Sequence, residues 1–233
     1  MLTLLTMTGG RPEAFALCER WMARQTYAGP VRWIVVDDGE VAQPISFARD
    51  GWQVDVLRPT PFWAPGQNTQ SRNIKAGLDV LGADARLVII EDDDWYGPEW
   101  LVTVDKALDK HELVGESHAR YYNVAQRRAR QLENFQHASL CSTAMRGRAI
   151  DQLKGVCRPG IQFIDVMLWQ AFGSEGAFRG ENVVGIKGLP GRKGIGIGHD
   201  KRFQGVSDKS GKILRSWIGS DVAAYLAPES PDE

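Results

Sequence analysis

The sequence has little of what marks several common protein classes. It carries only three cysteines, Cys18, Cys141 and Cys157. An odd, scattered set argues against a disulfide framework and against paired CxxC zinc ligands, and it points to a reducing, cytoplasmic setting. No apolar run approaches the ~20 residues that a membrane-spanning helix needs. The apolar start, Met1 to Thr8, lacks a basic first segment and a cleavage motif, so no secretory leader is expected. Net charge is nearly absent, with 28 Lys and Arg against 29 Asp and Glu. Bulk charge therefore demands neither nucleic acid nor a membrane surface, although a balanced total can hide a local basic patch. No internal repeat recurs at a fixed period.

What remains is an ordinary globular composition, 43% hydrophobic and 24% charged over 233 residues. That length suits one large domain with a substantial core. The chain is organised around Leu87-Val-Ile-Ile-Glu-Asp-Asp-Asp-Trp-Tyr96. Its apolar residues read as a strand buried on both faces. Glu91, Asp92, Asp93 and Asp94 then fall at the strand's carboxyl end, where open α/β sheets bind ligands. Adjacent carboxylates repel one another unless a cation joins them, and a hard divalent ion, Mg²⁺ or Mn²⁺, prefers oxygen ligands. Alone, the same run also reads as a solvated turn capping the next helix.

The preceding segments alternate strand and helix. Leu2–Met7 is a predicted strand, broken by Thr8-Gly9-Gly10-Arg11. Pro12 opens a helix with Phe15, Cys18 and Met22 inward. The free N–H groups of such a turn suit a nucleotide or its phosphates, and equally serve any strand–helix connection. Val31–Gly39 is a second strand, ending in Asp37 and Asp38. These carboxylates can accept from a base N–H or a ribose hydroxyl, or simply close an Asp-Gly turn. Gln53–Arg58 alternates as a third strand. A proline-rich loop with Phe62 and Trp63 follows, either a lid or a plug for the core. Asn68–Asn73 leads into a helix with Ile74, Gly77, Leu78 and Leu81 on one face, and Arg72 near its start is a surface ion pair or an anion clamp. After the acid run comes a helix with Leu101, Val104 and Leu108 inward. The alternation predicts an α/β fold, a mainly parallel sheet flanked by helices.

The second half changes character. Strands are expected over Leu113–Glu116 and Arg120–Val124, followed by Arg127, Arg128 and Arg130. Interleaved Tyr121, Tyr122 and arginines suit a sugar or a nucleic acid, or form a solvated strand edge. The stretch 137–143 has no assigned element, and His137 reads as a structural hydrogen-bonder. A helix over 160–171 has Ile164, Met167, Leu168 and Ala171 as its apolar face and leaves Asp165 off it. A strand over 182–187 precedes a glycine-rich segment with Arg192, Lys193 and His199. That segment is a loop able to fold over a diphosphate, or a linker. Residues 227–233 are expected to fray.

In order and spacing, the Thr8–Arg11 turn, the Val-Val-Asp-Asp-Gly strand end, the Ser-Arg-Asn helix start, the acid run, Asp165 and His199 resemble the nucleotide-sugar glycosyltransferases of the GT-A fold. The likeness is greatest to the large inverting family-two group and covers most of residues 1–200. It implies a Rossmann-like domain over 1–226, with a nucleotide-sugar-binding half (1–112), an acceptor half with a closing loop (113–226) and a disordered tail (227–233). It implies Thr8, Gly10, Arg11, Asp37 and Asp38 on the nucleotide, Arg72 and Asn73 at its base or diphosphate, and Asp92 on the ribose. Asp93, Asp94 and His199 would hold Mn²⁺ or Mg²⁺, Arg192 and Lys193 would meet the diphosphate, and Asp165 would be the catalytic base. Ile164 stands where the family commonly has a further acid. The expected activity is metal-dependent, inverting transfer from a UDP-sugar to a hydroxyl. A hydroxymethylated base of phage-type DNA is one acceptor, served by the Tyr–Arg cluster, and a saccharide is another. The alternative activity, a nucleotidyltransferase or sugar-phosphate pyrophosphorylase, calls for a longer glycine-rich basic turn than Thr8–Arg11. No membrane partner is expected.

Overall fold

The structure, a computed structural model, describes residues 1–194, 198 and 203–226. Strands β1 (Leu2–Thr8), β2 (Val31–Asp37), β3 (Trp52–Leu57) and β4 (Arg86–Ile89) are mutually parallel, in the order β4-β1-β2-β3. Helices α1 (Pro12–Ala23), α2 (Gln70–Leu78) and α3 (Trp100–Leu108) connect or follow them. The strands' period of two divides their apolar side chains between two cores. Leu2, Leu4, Val31, Trp33, Val35 and Val88 face α1 and α3, packing on Phe15, Cys18, Trp21, Leu101 and Val104. Leu5, Ile34, Val36, Leu87 and Ile89 face α2, packing on Ile74 and Leu78. Burial on both faces is why these strands read as nearly unbroken apolar runs.

The second half extends this sheet and adds another. Strands β6 (Leu113–Glu116), β9 (Thr143–Arg146) and β10 (Ala177–Phe178) complete the order β10-β6-β9-β4-β1-β2-β3, with β9 antiparallel to both β4 and β6. The second sheet runs β12-β8-β7-β11-β5, made of β12 (Val206–Ser207), β8 (Arg128–Glu133), β7 (His118–Asn123), β11 (Val183–Lys187) and β5 (Trp95–Tyr96). In its β7–β8 hairpin Tyr121 lies opposite Arg130. Helices α4 (Arg148–Val156) and α5 (Ile164–Phe172) add Leu153, Val156, Ile164 and Leu168 to the α2-side core, and α6 (Lys212–Ile218) adds Leu214 and Ile218 to the other.

Three expectations need correction. Residues 143–146, without an assigned element, form β9 in the middle of the sheet. The helix expected from residue 160 begins at Ile164, because Gly160 (φ 75) and Phe163 (φ 57) are left-handed and break the turn before it. The helices α4 and α6 were not expected. Among the described residues no helix is long and apolar enough to cross a membrane.

This topology brings the carboxyl ends of β1, β2 and β4 to one edge. Thr8 pairs with Asp37, Asp38 N–H donates to Thr8 O at 3.1 Å, and Ile90 N–H donates to Leu5 O at 3.0 Å.

Candidate active site

At that edge the β1–α1 turn meets the acid run. Gly9 has φ 148, and a Cβ there would lie 2.5 Å from Asp38 Oδ1 and 2.7 Å from Gly39 N. Only glycine permits so close an approach at such a φ. Gly10 has open space around it but sits at φ 66. The turn so formed delivers Arg11 to the acids. Its Nη1 donates to Asp92 Oδ1 at 2.8 Å and its Nη2 to Asp93 Oδ2 at 2.6 Å, while Thr8 Oγ1 donates to Asp92 Oδ2 at 2.8 Å. Burial pushes the Asp92 carboxyl up to about 6, against the pull of Arg11. Burial works against the Arg11 charge, but Asp93 and Asp92 outweigh it and raise its pKa.

Asp94 is met from the second sheet. Its Oδ1 accepts from Ile186 N–H at 2.8 Å and from Lys187 Nζ at 3.1 Å. Burial raises the Asp94 pKa and Lys187 opposes the rise. Burial would lower the Lys187 pKa, yet Asp93, Asp94 and Glu91 hold it above the ordinary lysine value. The acid run is thus partly neutralised by two cations of the chain itself, Arg11 and Lys187.

The donor set is also suited to a divalent ion. One oxygen each from Glu91 and Asp94 and the sulfur of Cys141 lie within 4.8 Å of one another. Asp94 Oδ2 is buried with no hydrogen-bond partner among the described residues. A hard cation satisfies such an orphaned carboxylate oxygen. Burial, with Asp94 and Glu91 adding to it, keeps the Cys141 thiol protonated, and a thiol is a poor partner for Mg²⁺ or Mn²⁺. The oxygen donors that fit are therefore Glu91 and Asp94. Asp93, named from the sequence beside Asp94, accepts from Arg11 Nη2 at 2.6 Å, as Asp94 accepts from Lys187. His199, the third expected ligand, lies outside the described residues.

The carboxylates expected at the base already accept hydrogen bonds from the protein. Asp37 accepts from Gly39 N–H (2.9 Å), Gln43 N–H (2.9 Å) and Arg58 Nε (3.1 Å). Asp38 Oδ1 accepts from Arg192 Nη1 at 2.5 Å, and its Oδ2 accepts from Thr69 Oγ1 (2.5 Å), Asn73 Nδ2 (2.7 Å) and Arg72 Nη2 (3.3 Å). Arg192 also stacks on Trp63, with 4.4 Å from its guanidinium carbon to the ring centroid. Its N–H reaches Gly10 O at 3.5 Å. Residues 188–194, which follow β11, thus bring Arg192 against the β1–α1 turn and Asp38.

Both halves line one cleft of about 720 Å³. Of the residues expected at a site, Thr8, Arg11, Asn73, Asp92, Asp93, Asp165, Arg192 and Lys193 line it. Gly10, Asp37, Asp38, Arg72 and Asp94 are not among its lining residues. Lys187 and Phe163, neither of them expected at a site, also line it. The only signal for Lys187 was a lysine closing an apolar strand.

Asp165 occupies the first turn of α5, half-buried. Burial pushes its carboxyl up, while the N–H groups of Val166, Asp165 itself and Leu140 favour its ionised form and His137 adds to them. Tyr121 lines the same cleft. Its hydroxyl is 2.5 Å from Ser139 Oγ, and Lys187 Nζ is 5.9 Å from its ring centroid. Burial pushes the Tyr121 phenol up, with Asp165 adding to and Lys187 opposing the shift, so the ring stays neutral.

No known family profile matches the chain, and no curated protein matches it by sequence. Solved structures share its fold. A crystal structure of S. aureus TarS superposes with a TM-score of 0.51 at 11% identity, over 79% of this chain and 36% of that one. S. aureus TarS 1-349 in complex with UDP superposes with a TM-score of 0.52 at 12% identity, over 80% of this chain and 60% of that one. The chain spans less than two thirds of either structure, and at such identity the likeness is one of fold.

Proposed function

We propose that the protein is a nucleotide-sugar glycosyltransferase that moves a sugar from a UDP-sugar to an acceptor hydroxyl with inversion. The observation that carries this reading is the composition of a single cleft. Arg11 and Lys187 bring cations to the acid run, Arg192 and Lys193 add two more to the same cleft for an anionic donor, and Asp165 brings a separate carboxylate from the other half. The shared fold with TarS, a glycosyltransferase whose 1-349 form was solved with UDP, supports the same reading.

In this reading Arg11, Arg192 and Lys193 bind the diphosphate, and Asp92 accepts from the ribose hydroxyls. A divalent ion held by Glu91 and Asp94 would act as a Lewis acid, offsetting charge on the departing UDP. Asp165 takes the proton from the acceptor hydroxyl as its oxygen attacks the anomeric carbon, a role worth roughly 10²–10⁴-fold. The C–O bond to UDP breaks on the opposite face, which inverts the configuration. Tyr121 and Arg130 on the acceptor side favour a hydroxymethylated base in DNA over a saccharide.

The test is a UDP-sugar screen with Mn²⁺ or Mg²⁺ that reads UDP release, run on the wild type and on Asp165→Asn. Release that the substitution abolishes supports the proposal. Absence of UDP binding and release by the wild type refutes it. Pyrophosphate release from a sugar phosphate and a nucleoside triphosphate would instead mark a nucleotidyltransferase.

A further inference from the structure

Phe163 is conformationally the least expected residue on the cleft wall. It precedes α5 at φ 57 and ψ 50, a left-handed conformation normal for Gly or Asn and unfavourable for a bulky aromatic. Packing does not offset this strain. The residue is 61% exposed, belongs to neither hydrophobic core, and its ring makes no aromatic contact among the described residues. Backbone strain that packing does not explain is a pointer to ligand binding. Phe163 also stands two residues before Asp165, and both line the cleft.

The β7–β8 hairpin supplies another part of the lining. Because Tyr121 lies opposite Arg130 and Ala119 opposite Leu132, these four side chains share one face of the hairpin. Tyr121, Arg130 and Leu132 line the same cleft. Arg130 is exposed and forms no ion pair with the described residues. The cleft that holds Asp165 thus offers, besides polar side chains such as Gln162 and Ser139, an exposed aromatic face, apolar Leu132 and Leu140, and a cation with no ion pair among the described residues. A flat ring tethered to an anion engages the aromatic face and the cation together.

We propose that Phe163 holds the acceptor by stacking on a planar ring that carries the reacting hydroxyl, while Arg130 meets an anionic group attached to that ring. The acceptor class is then a nucleotide unit of a nucleic-acid strand. This rests on the glycosyltransferase reading for the role of Asp165, and it adds the residues that select the acceptor.

The experiment is fluorescence anisotropy with a labelled single-stranded oligonucleotide containing 5-hydroxymethylcytosine, at low salt. Phe163→Ala should bind about tenfold more weakly, the scale of one base–aromatic stack, and Phe163→Trp should bind like the wild type. Phe163→Gly should bind as poorly as Phe163→Ala yet melt at a higher temperature than the wild type, because glycine relieves the left-handed backbone. Arg130→Gln should weaken binding and flatten its salt dependence by about one phosphate contact. The proposal is overturned if the wild type does not bind the oligonucleotide, if Phe163→Ala binds as well as the wild type, or if Phe163→Gly melts lower. Calorimetry with UDP, run on the same proteins, reports separately on the donor. A wild type that binds the oligonucleotide through Phe163 but not UDP defeats the glycosyltransferase reading and leaves the stacking site standing.

Discussion

Lys187 Nζ stands 3.1 Å from Asp94 Oδ1, and this pair joins the second sheet to the acid run that ends β4. Both side chains are almost wholly shut off from solvent. Removing one partner leaves an uncompensated buried charge. Lys187→Met should therefore destabilise the protein by about 3–5 kcal/mol, whereas breaking a surface pair costs about 1 kcal/mol or less. Adding Asp94→Asn to Lys187→Met should restore part of that loss, because the stranded carboxylate is gone. Urea denaturation of the two single variants and the double variant checks this as a cycle. Strict additivity of the two losses would show that the pair is not coupled.

Arg11 reaches two carboxylates through two nitrogens, a geometry that one ammonium cannot copy. Arg11→Lys should lose one of the two charge-assisted bonds, about 1.5–3 kcal/mol. The cost should appear both in denaturant stability and in UDP affinity, since the same turn faces the cleft. Thermal melts with and without UDP separate the two. An unchanged UDP-induced shift in melting temperature would remove Arg11 from the donor site.

How much of this was legible beforehand depends on how far each residue's partner lies along the chain. β1, β2 and β4 announce themselves because strands buried on both faces carry no polar alternation, and the acids that end β2 and β4 mark the ligand edge. α4 has readable apolar spacing at Ala149, Leu153 and Val156, though it is short, at nine residues. β9 has no such signal. Thr143-Ala-Met-Arg146 becomes a strand only because β4 and β6 flank it, and that pairing is tertiary. Asp37 and Asp38 were expected to face a nucleotide, as strand-end carboxylates can. In the structure their oxygens accept from Arg58, Gln43, Thr69, Asn73 and Arg192, donors that no local pattern assigns to them. Lys187 was hidden for the opposite reason, since a lysine that closes a strand ordinarily points to water.

Gly77 tests the packing that holds α2 on the sheet. A Cβ there would collide with the Leu5 side chain of β1. Alanine normally favours a helix over glycine by about 1 kcal/mol. Here overpacking should reverse the sign and cost about 1–3 kcal/mol. Denaturant unfolding of Gly77→Ala decides it, and a more stable variant would mean that Leu5 has room to move.

In the proposed reaction Asp165 links stability to rate through one proton. Its folded-state pKa is raised, chiefly by burial. A carboxyl with a raised folded pKa contributes its stability in full at low pH and loses it as pH climbs through that value. The ionised form that the proposed role as base needs is therefore the form the fold favours less. Asp165→Asn cannot ionise, so it should match the wild type in stability at acid pH and exceed it at neutral pH. Its transfer rate should fall by roughly 10²–10⁴-fold. For the wild type, the rate should climb with pH through a midpoint above the ordinary aspartate range, and in Asp165→Asn that limb should vanish. Melting curves and pH–rate profiles on the two proteins read both effects. A variant that keeps the pH limb would assign the base to another residue, and one that is less stable at neutral pH would show that the ionised carboxylate holds the start of α5 in place.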